Sequence, residues 1–294
     1  MMNVLFLAMA VISSGLSSFF YKRVSQYTKS RAETALVSIA WFLPLTLVFG
    51  VAALLTGGIH FSSAVLLPAL LAGLASAGCA FFLQQSMKQN SYSFSVIIVN
   101  LSFVFPILLS VLFLGEQTGW LQFAGIVIAI AVVVLIGAGG SQEGKTPFSA
   151  ILLALAASFG NGLIDFAIKI QQHQMPGEGE SSFFFFTYLS AAVFSGLLWS
   201  VFALRGEKTE LHKNASPLAV PALGIAACNG VCFFAISLLA SHMNAAAQFT
   251  IITSLSIVLS LAIGRVRLKE RLRLREVFSL VFCAAAIGCQ TLNI

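Results

Sequence analysis

Charge is scarce in this chain of 294 residues: Asp, Glu, Lys and Arg together make up 9%, against 59% hydrophobic residues. Soluble domains carry roughly 25% charged residues. So little charge cannot cover a globule facing water, whereas lipid solvates apolar side chains. The first apolar run, 3–20, has no basic segment before it and no small-residue cleavage site after it. A cleaved leader needs both, so the run is expected to be a retained first span. The five cysteines, Cys79, Cys228, Cys232, Cys283 and Cys289, all lie inside apolar runs without metal-ligand spacing and are expected to be reduced packing residues. No Ser–His–Asp set, phosphate loop or aromatic–basic cluster appears, so no catalytic residue, metal, cofactor or nucleic-acid partner is expected.

What the chain does have is a series of apolar runs, each near the length of about 20 residues that crosses a bilayer. They predict an all-α integral membrane protein with ten spans, at roughly 2–21, 33–56, 62–86, 93–114, 119–137, 148–170, 182–204, 215–240, 244–263 and 275–292. A Gly-rich polar linker over 138–147 separates residues 1–137 from 148–294.

The two segments repeat each other. At an offset of 154 residues, Asn90 meets Asn244, Ile97-Ile98 meets Ile251-Ile252, Leu101-Ser102 meets Leu255-Ser256, and Glu116 meets Glu270. At an offset of 147, Gly15-Leu16, Phe19 and Lys22 meet Gly162-Leu163, Phe166 and Lys169. Five spans per copy is an odd number, so the second copy must enter the membrane inverted.

The basic residues agree. All 16 Lys and Arg except Lys169 fall in the loops after spans 1, 3, 5, 7 and 9. Basic loops stay cytoplasmic, which puts both termini outside and makes the net charge of +6 a topology signal.

A duplicated, inverted five-span unit resembles the drug/metabolite transporter superfamily, specifically its EamA-like ten-helix members. The residues that carry the resemblance are Phe113-Leu114-Gly115-Glu116-Gln117-Thr118 with Leu121-Gln122 and Gly125, and Lys269-Glu270-Arg271-Leu272, where Lys stands for Gly. Lys22 and Lys169 are similar to the basic residue that closes the first helix of each repeat, and Pro106 fits the pattern ten residues before Glu116. The resemblance implies a secondary transporter in a bacterial cytoplasmic (inner) membrane. It would export amino-acid-like or amphipathic metabolites by alternating access about a central cavity, as a monomer or weak homodimer among membrane lipids. Two other readings stand beside it: an anion or nucleotide-sugar antiporter using Lys22 and Lys169, and an intramembrane enzyme, for which paired acids or a His cluster are missing.

Polar groups within the spans are the candidate site, since each is costly in hydrocarbon unless it has a task or a partner. Asp165 is the one carboxylate well inside an apolar run, with Asn161 four residues before it and Lys169 four after. It can bind a cation or a proton, or pair locally with Lys169. Asn100, Asn229, Gln248 and Ser254 complete the candidate substrate-binding set, with helix–helix hydrogen bonding as the structural alternative. Asp165, Lys22 and Lys169 are candidates for charge coupling or anion attraction, although lysines at span ends also snorkel to headgroups. Glu116 and Glu270 read as structural motif residues at helix starts near water. Small residues at Ala69, Gly73, Ala77 and at Ala222, Ala226, Gly230 predict close helix packing. The run Phe183–Phe186 reads as lipid-facing bulk.

Overall fold

The helices begin and end where local chemistry allows. Ser30 accepts a hydrogen bond from the Glu33 amide while the Glu33 carboxylate accepts from the Ser30 amide, a reciprocal cap that starts α2 (Arg31–Leu55) only three intervening residues beyond α1 (Met2–Tyr27). α3 is Ser63–Gln89, and Ser91 caps α4 (Tyr92–Leu114) through the Phe94 amide. The second segment supplies α5 (Phe148–Gln174), α6 (Glu180–Leu204), α7 (Ala215–Ala240) and α8 (Ala245–Arg267). This computed structural model describes residues 2–116, 147–175, 178–209, 215–240, 242–243 and 245–269, with single positions within 119–131 and 278–285. The expected linker and tenth span, much of the expected fifth span, and Glu270 lie outside the described residues. Among the described residues there is no strand, and seven helices are long and apolar enough to cross a membrane.

Two expectations change. α1, α3 and α5 run three to six residues beyond their expected ends at 21, 86 and 170, to Tyr27, Gln89 and Gln174. The helical backbone stays hydrogen-bonded where the side chains turn polar, so composition marks the hydrocarbon edge and not the helix end. α4 is not uniform. It is α-helical over Tyr92–Asn100, 3-10 over Leu101–Phe103, α-helical over Val104–Leu109 and π over Ser110–Leu114. Pro106 has no amide to donate to the Ser102 carbonyl, which loosens the helix at that turn. Gly115, at φ 69°, ends α4 in the left-handed region. Lys269, which stands for Gly in the second copy, also adopts the left-handed region, at φ 55°.

The largest interfaces join a helix before residue 115 to one after residue 147. α2 packs on α6, α3 on α5 and α6, and α1 on α7 and α8. Moving each helix to its offset partner turns the α1–α7 contact into α5–α3, and α1–α8 into α5–α4. The glycines follow the same rule. A Cβ on Gly15 would lie 2.7 Å from Leu259 Cδ2, and one on Gly162 would lie 2.6 Å from Phe105 Cβ. Gly15 and Gly162 are 147 apart, and Phe105 and Leu259 are 154 apart. On α3, a Cβ on Gly73 would collide with Ser190 Oγ of α6, so the small-residue stripe lets helices approach.

Polarity runs inside out. Leu47, Leu55 and Leu204 are 70%, 81% and 89% exposed, while Ser76, Gln84, Asn100 and Asp165 are buried. That distribution suits a molecule whose outer solvent is lipid. The run Phe183–Phe186 departs from expectation. Phe183 and Phe184 are fully buried, and Phe184 packs against Phe49 with ring centroids 5.0 Å apart. Four consecutive residues point around the helix, so two of them face inward.

Candidate functional site

Polar side chains from the middle turns of α1, α3, α5 and α7 meet on one cavity, and α4, α6, α2 and α8 close it. Its volume is about 80 Å³, room for roughly two or three waters. Four of the expected site residues, Asn100, Asn161, Asp165 and Asn229, line it. Asn229 Nδ2 donates to Tyr21 Oη at 3.0 Å, Asn161 Nδ2 to Ser102 Oγ at 2.8 Å, and Asn100 Nδ2 to the Val96 carbonyl at 2.9 Å. The Asn161 bond lands on Ser102, four residues before Pro106, which has no amide to donate to the Ser102 carbonyl. Asp165 is the single charged lining residue among the described ones. It is 2% exposed and its Oδ1 has no hydrogen-bond partner, as is also true of Ser76 Oγ and Tyr188 Oη on the same cavity.

Gln248 and Ser254 do not line the cavity. Gln248 Nε2 donates to the Ile236 carbonyl at 2.6 Å, tying α8 to α7. Ser254 is buried one residue past Thr253, which does face the cavity, and one residue is a 100° rotation on a helix.

The local Asp165–Lys169 pair is absent. Lys169 Nζ instead lies 3.0 Å from Glu116 Oε1 and donates to the carbonyls of Ala240 and Met243 at 3.2 and 2.8 Å. Glu116 therefore serves a helix contact, not merely the start of the next helix near water. Nor does Lys169 snorkel, being 6% exposed. Lys22 Nζ donates to the carbonyls of Met87 and Asn90 at 2.9 and 3.4 Å. Each lysine thus sits on the C-terminal end of a helix, α7 for Lys169 and α3 for Lys22, where a cation is favoured. Neither lines the cavity.

Sequence reasoning missed Ser14, Ser18, Ser76, Cys79 and Cys232, all of which line the cavity. The repeat carried the signal. Ser14 and Ser18 stand 147 residues before Asn161 and Asp165, and Ser76 and Cys79 stand 153 before Asn229 and Cys232. At these positions the cavity is lined twice, with serine in the first copy where the second has amide or carboxylate and with cysteine in both at Cys79 and Cys232.

The model of the EamA-like transporter family matches residues 1–138 and again 148–291. The chain belongs to the EamA-like transporter family. That family falls within the drug/metabolite transporter superfamily, and its members are small-molecule membrane transporters. A solved crystal structure aligns with 97% of this chain and 97% of its own at a TM-score of 0.65 and 19% identity, a likeness of fold. No curated protein matches with significance. For a multi-pass membrane transporter of this family, this cavity with its polar side chains is the candidate solute site.

Proposed function

We propose that this protein is a secondary transporter that exports small amino-acid-like or amphipathic metabolites by alternating access. Its ten spans form two inverted units, 1–137 and 148–294, in a bacterial cytoplasmic membrane. The observation that carries this reading is the convergence of Asn100, Asn161, Asp165 and Asn229, from three helices, on one cavity near the middle of those helices. A solute there meets hydrogen-bonding groups where lipid offers none. The offset-related helix contacts and the offset-related lining residues support inverted duplication, which places a solute site at the repeat interface. Because the main interfaces cross between the segments, the moving bodies would each combine helices from both. Anion exchange through Lys22 and Lys169 finds less support, since both ammonium groups are held on helix-end carbonyls away from the cavity.

The test is transport by the purified full chain in liposomes, with a labelled amino-acid mixture inside and counterflow measured without ATP. Solute movement in the absence of ATP is expected, and a strict ATP requirement would reject the proposal.

A further inference from the structure

We propose that the transported solute carries a positively charged amine, held by Asp165 with the Asn161 and Asn229 amides on the same wall, and that a carboxylate on the solute is dispensable. This rests on the transporter reading and narrows its substrate class. Three observations carry it. First, Asp165 is enclosed within helices, lines the cavity and offers an unpartnered Oδ1, while no Lys, Arg or His lines the cavity among the described residues. A carboxylate away from water takes up either a proton or a counter-charge, and the occupant is what can supply the second. Second, Asn161, Asp165 and Asn229 of the second copy answer to Ser14, Ser18 and Ser76 of the first, whose one lining amide, Asn100, donates to the Val96 carbonyl of its own helix. The occupant therefore has one strongly recognised end, and its remainder meets small hydroxyls. Third, the rings of Tyr21, Phe42, Tyr188 and Phe249 also line the cavity. Aromatic faces attract an ammonium and pack an apolar body, but disfavour an anion.

Equilibrium binding to the purified full chain at neutral pH tests this, with tritiated 2-phenylethylamine as a probe that enters the cavity of about 80 Å³ as the helices part. Saturable binding is expected. The neutral 2-phenylethanol and the anionic 3-phenylpropionate should compete roughly tenfold or more weakly, the worth of one charge-assisted hydrogen bond. Asp165→Asn should lose a similar factor in affinity, and Asp165→Glu should retain most of it. Should Asp165→Asn fail to fold, the competition order in the unaltered protein still decides. Equal or tighter binding of the acid, undiminished binding by a folded Asp165→Asn variant, or no amine binding at millimolar concentration would each overturn the proposal. If amino-acid counterflow persists in any of these cases, the transporter reading survives and only the amine assignment fails.

Discussion

Lys169 Nζ reaches three partners from two other parts of the chain: its own helix α5 brings it to Glu116 Oε1 at 3.0 Å, just past α4, and to the carbonyls of Ala240 and Met243 at the end of α7. Loss of the ammonium removes the ion pair with a half-buried carboxylate and the donor to two helix-end carbonyls. Lys169→Met is therefore expected to lower stability by about 2 kcal/mol, discounted from the cost at a fully buried pair because Glu116 is 26% exposed. Glu116→Gln should cost less. The double variant should cost less than the sum of the two, as residues in contact do. Thermal unfolding in detergent measures all three. Additive losses would show that the pair does not act as a unit.

Gly162 and Gly15 make offset-related contacts with different tolerance. A Cβ on Gly162 meets Phe105 Cβ at 2.6 Å and the Ser102 carbonyl at 2.8 Å, both close to or part of the α4 main chain. A Cβ on Gly15 meets the end of the Leu259 side chain, which can change rotamer. Gly162→Ala is expected to destabilise by about 1–3 kcal/mol and Gly15→Ala by less. Gly162→Ala should also weaken solute binding, because Asn161 bonds to Ser102 at the same crossing. The order of the two melting temperatures is the check.

Tyr21 and Asn229 hold α1 to α7 across the cavity by one hydrogen bond of 3.0 Å. Tyr21→Phe keeps the ring and its edge contact with Trp41 but leaves the Asn229 amide without its acceptor. A loss of about 1–2 kcal/mol is expected. The transport KM should change more than the folded yield, since Asn229 then turns to the solute or to water. An unchanged KM in liposome uptake would remove Asn229 from the solute's contacts.

The helices were legible because a bilayer imposes one requirement, a long apolar run with its backbone satisfied, and each run from 2–21 to 244–263, other than that at 119–137, corresponds to a described helix. The amides and the carboxylate of the site were legible as costly outliers in those runs. Ser14, Ser18 and Ser76 were not, since serine is common in these helices and only its offset from Asn161, Asp165 and Asn229 marks it. Gln248 and Ser254 look equally polar in sequence, but helix rotation turns them from the cavity toward other helices. The Lys169–Glu116 pair joins residues 53 positions apart. Its local competitor Asp165 lay at ideal helical spacing, and spacing cannot tell which of two carboxylates a tertiary contact selects.

Orientation is the remaining prediction. Of the 16 Lys and Arg, all but Lys169 fall at or beyond the expected span ends on alternate sides, and Lys169 is committed to a buried contact between helices. The one exception thus has a structural task and does not weigh against the asymmetry. Basic segments resist translocation during insertion, so the span junctions at Lys29, Lys88, Lys208 and Lys269 should be cytoplasmic. Both termini are then outside. A reporter that matures only in the cytoplasm, fused after Ile294, should stay dark, and one active only outside should work. The same pair fused within 205–213 should give the opposite result. Matching signals at the two sites would mean that an even number of spans, not three, lies between them, and would undo the inverted arrangement along with the orientation.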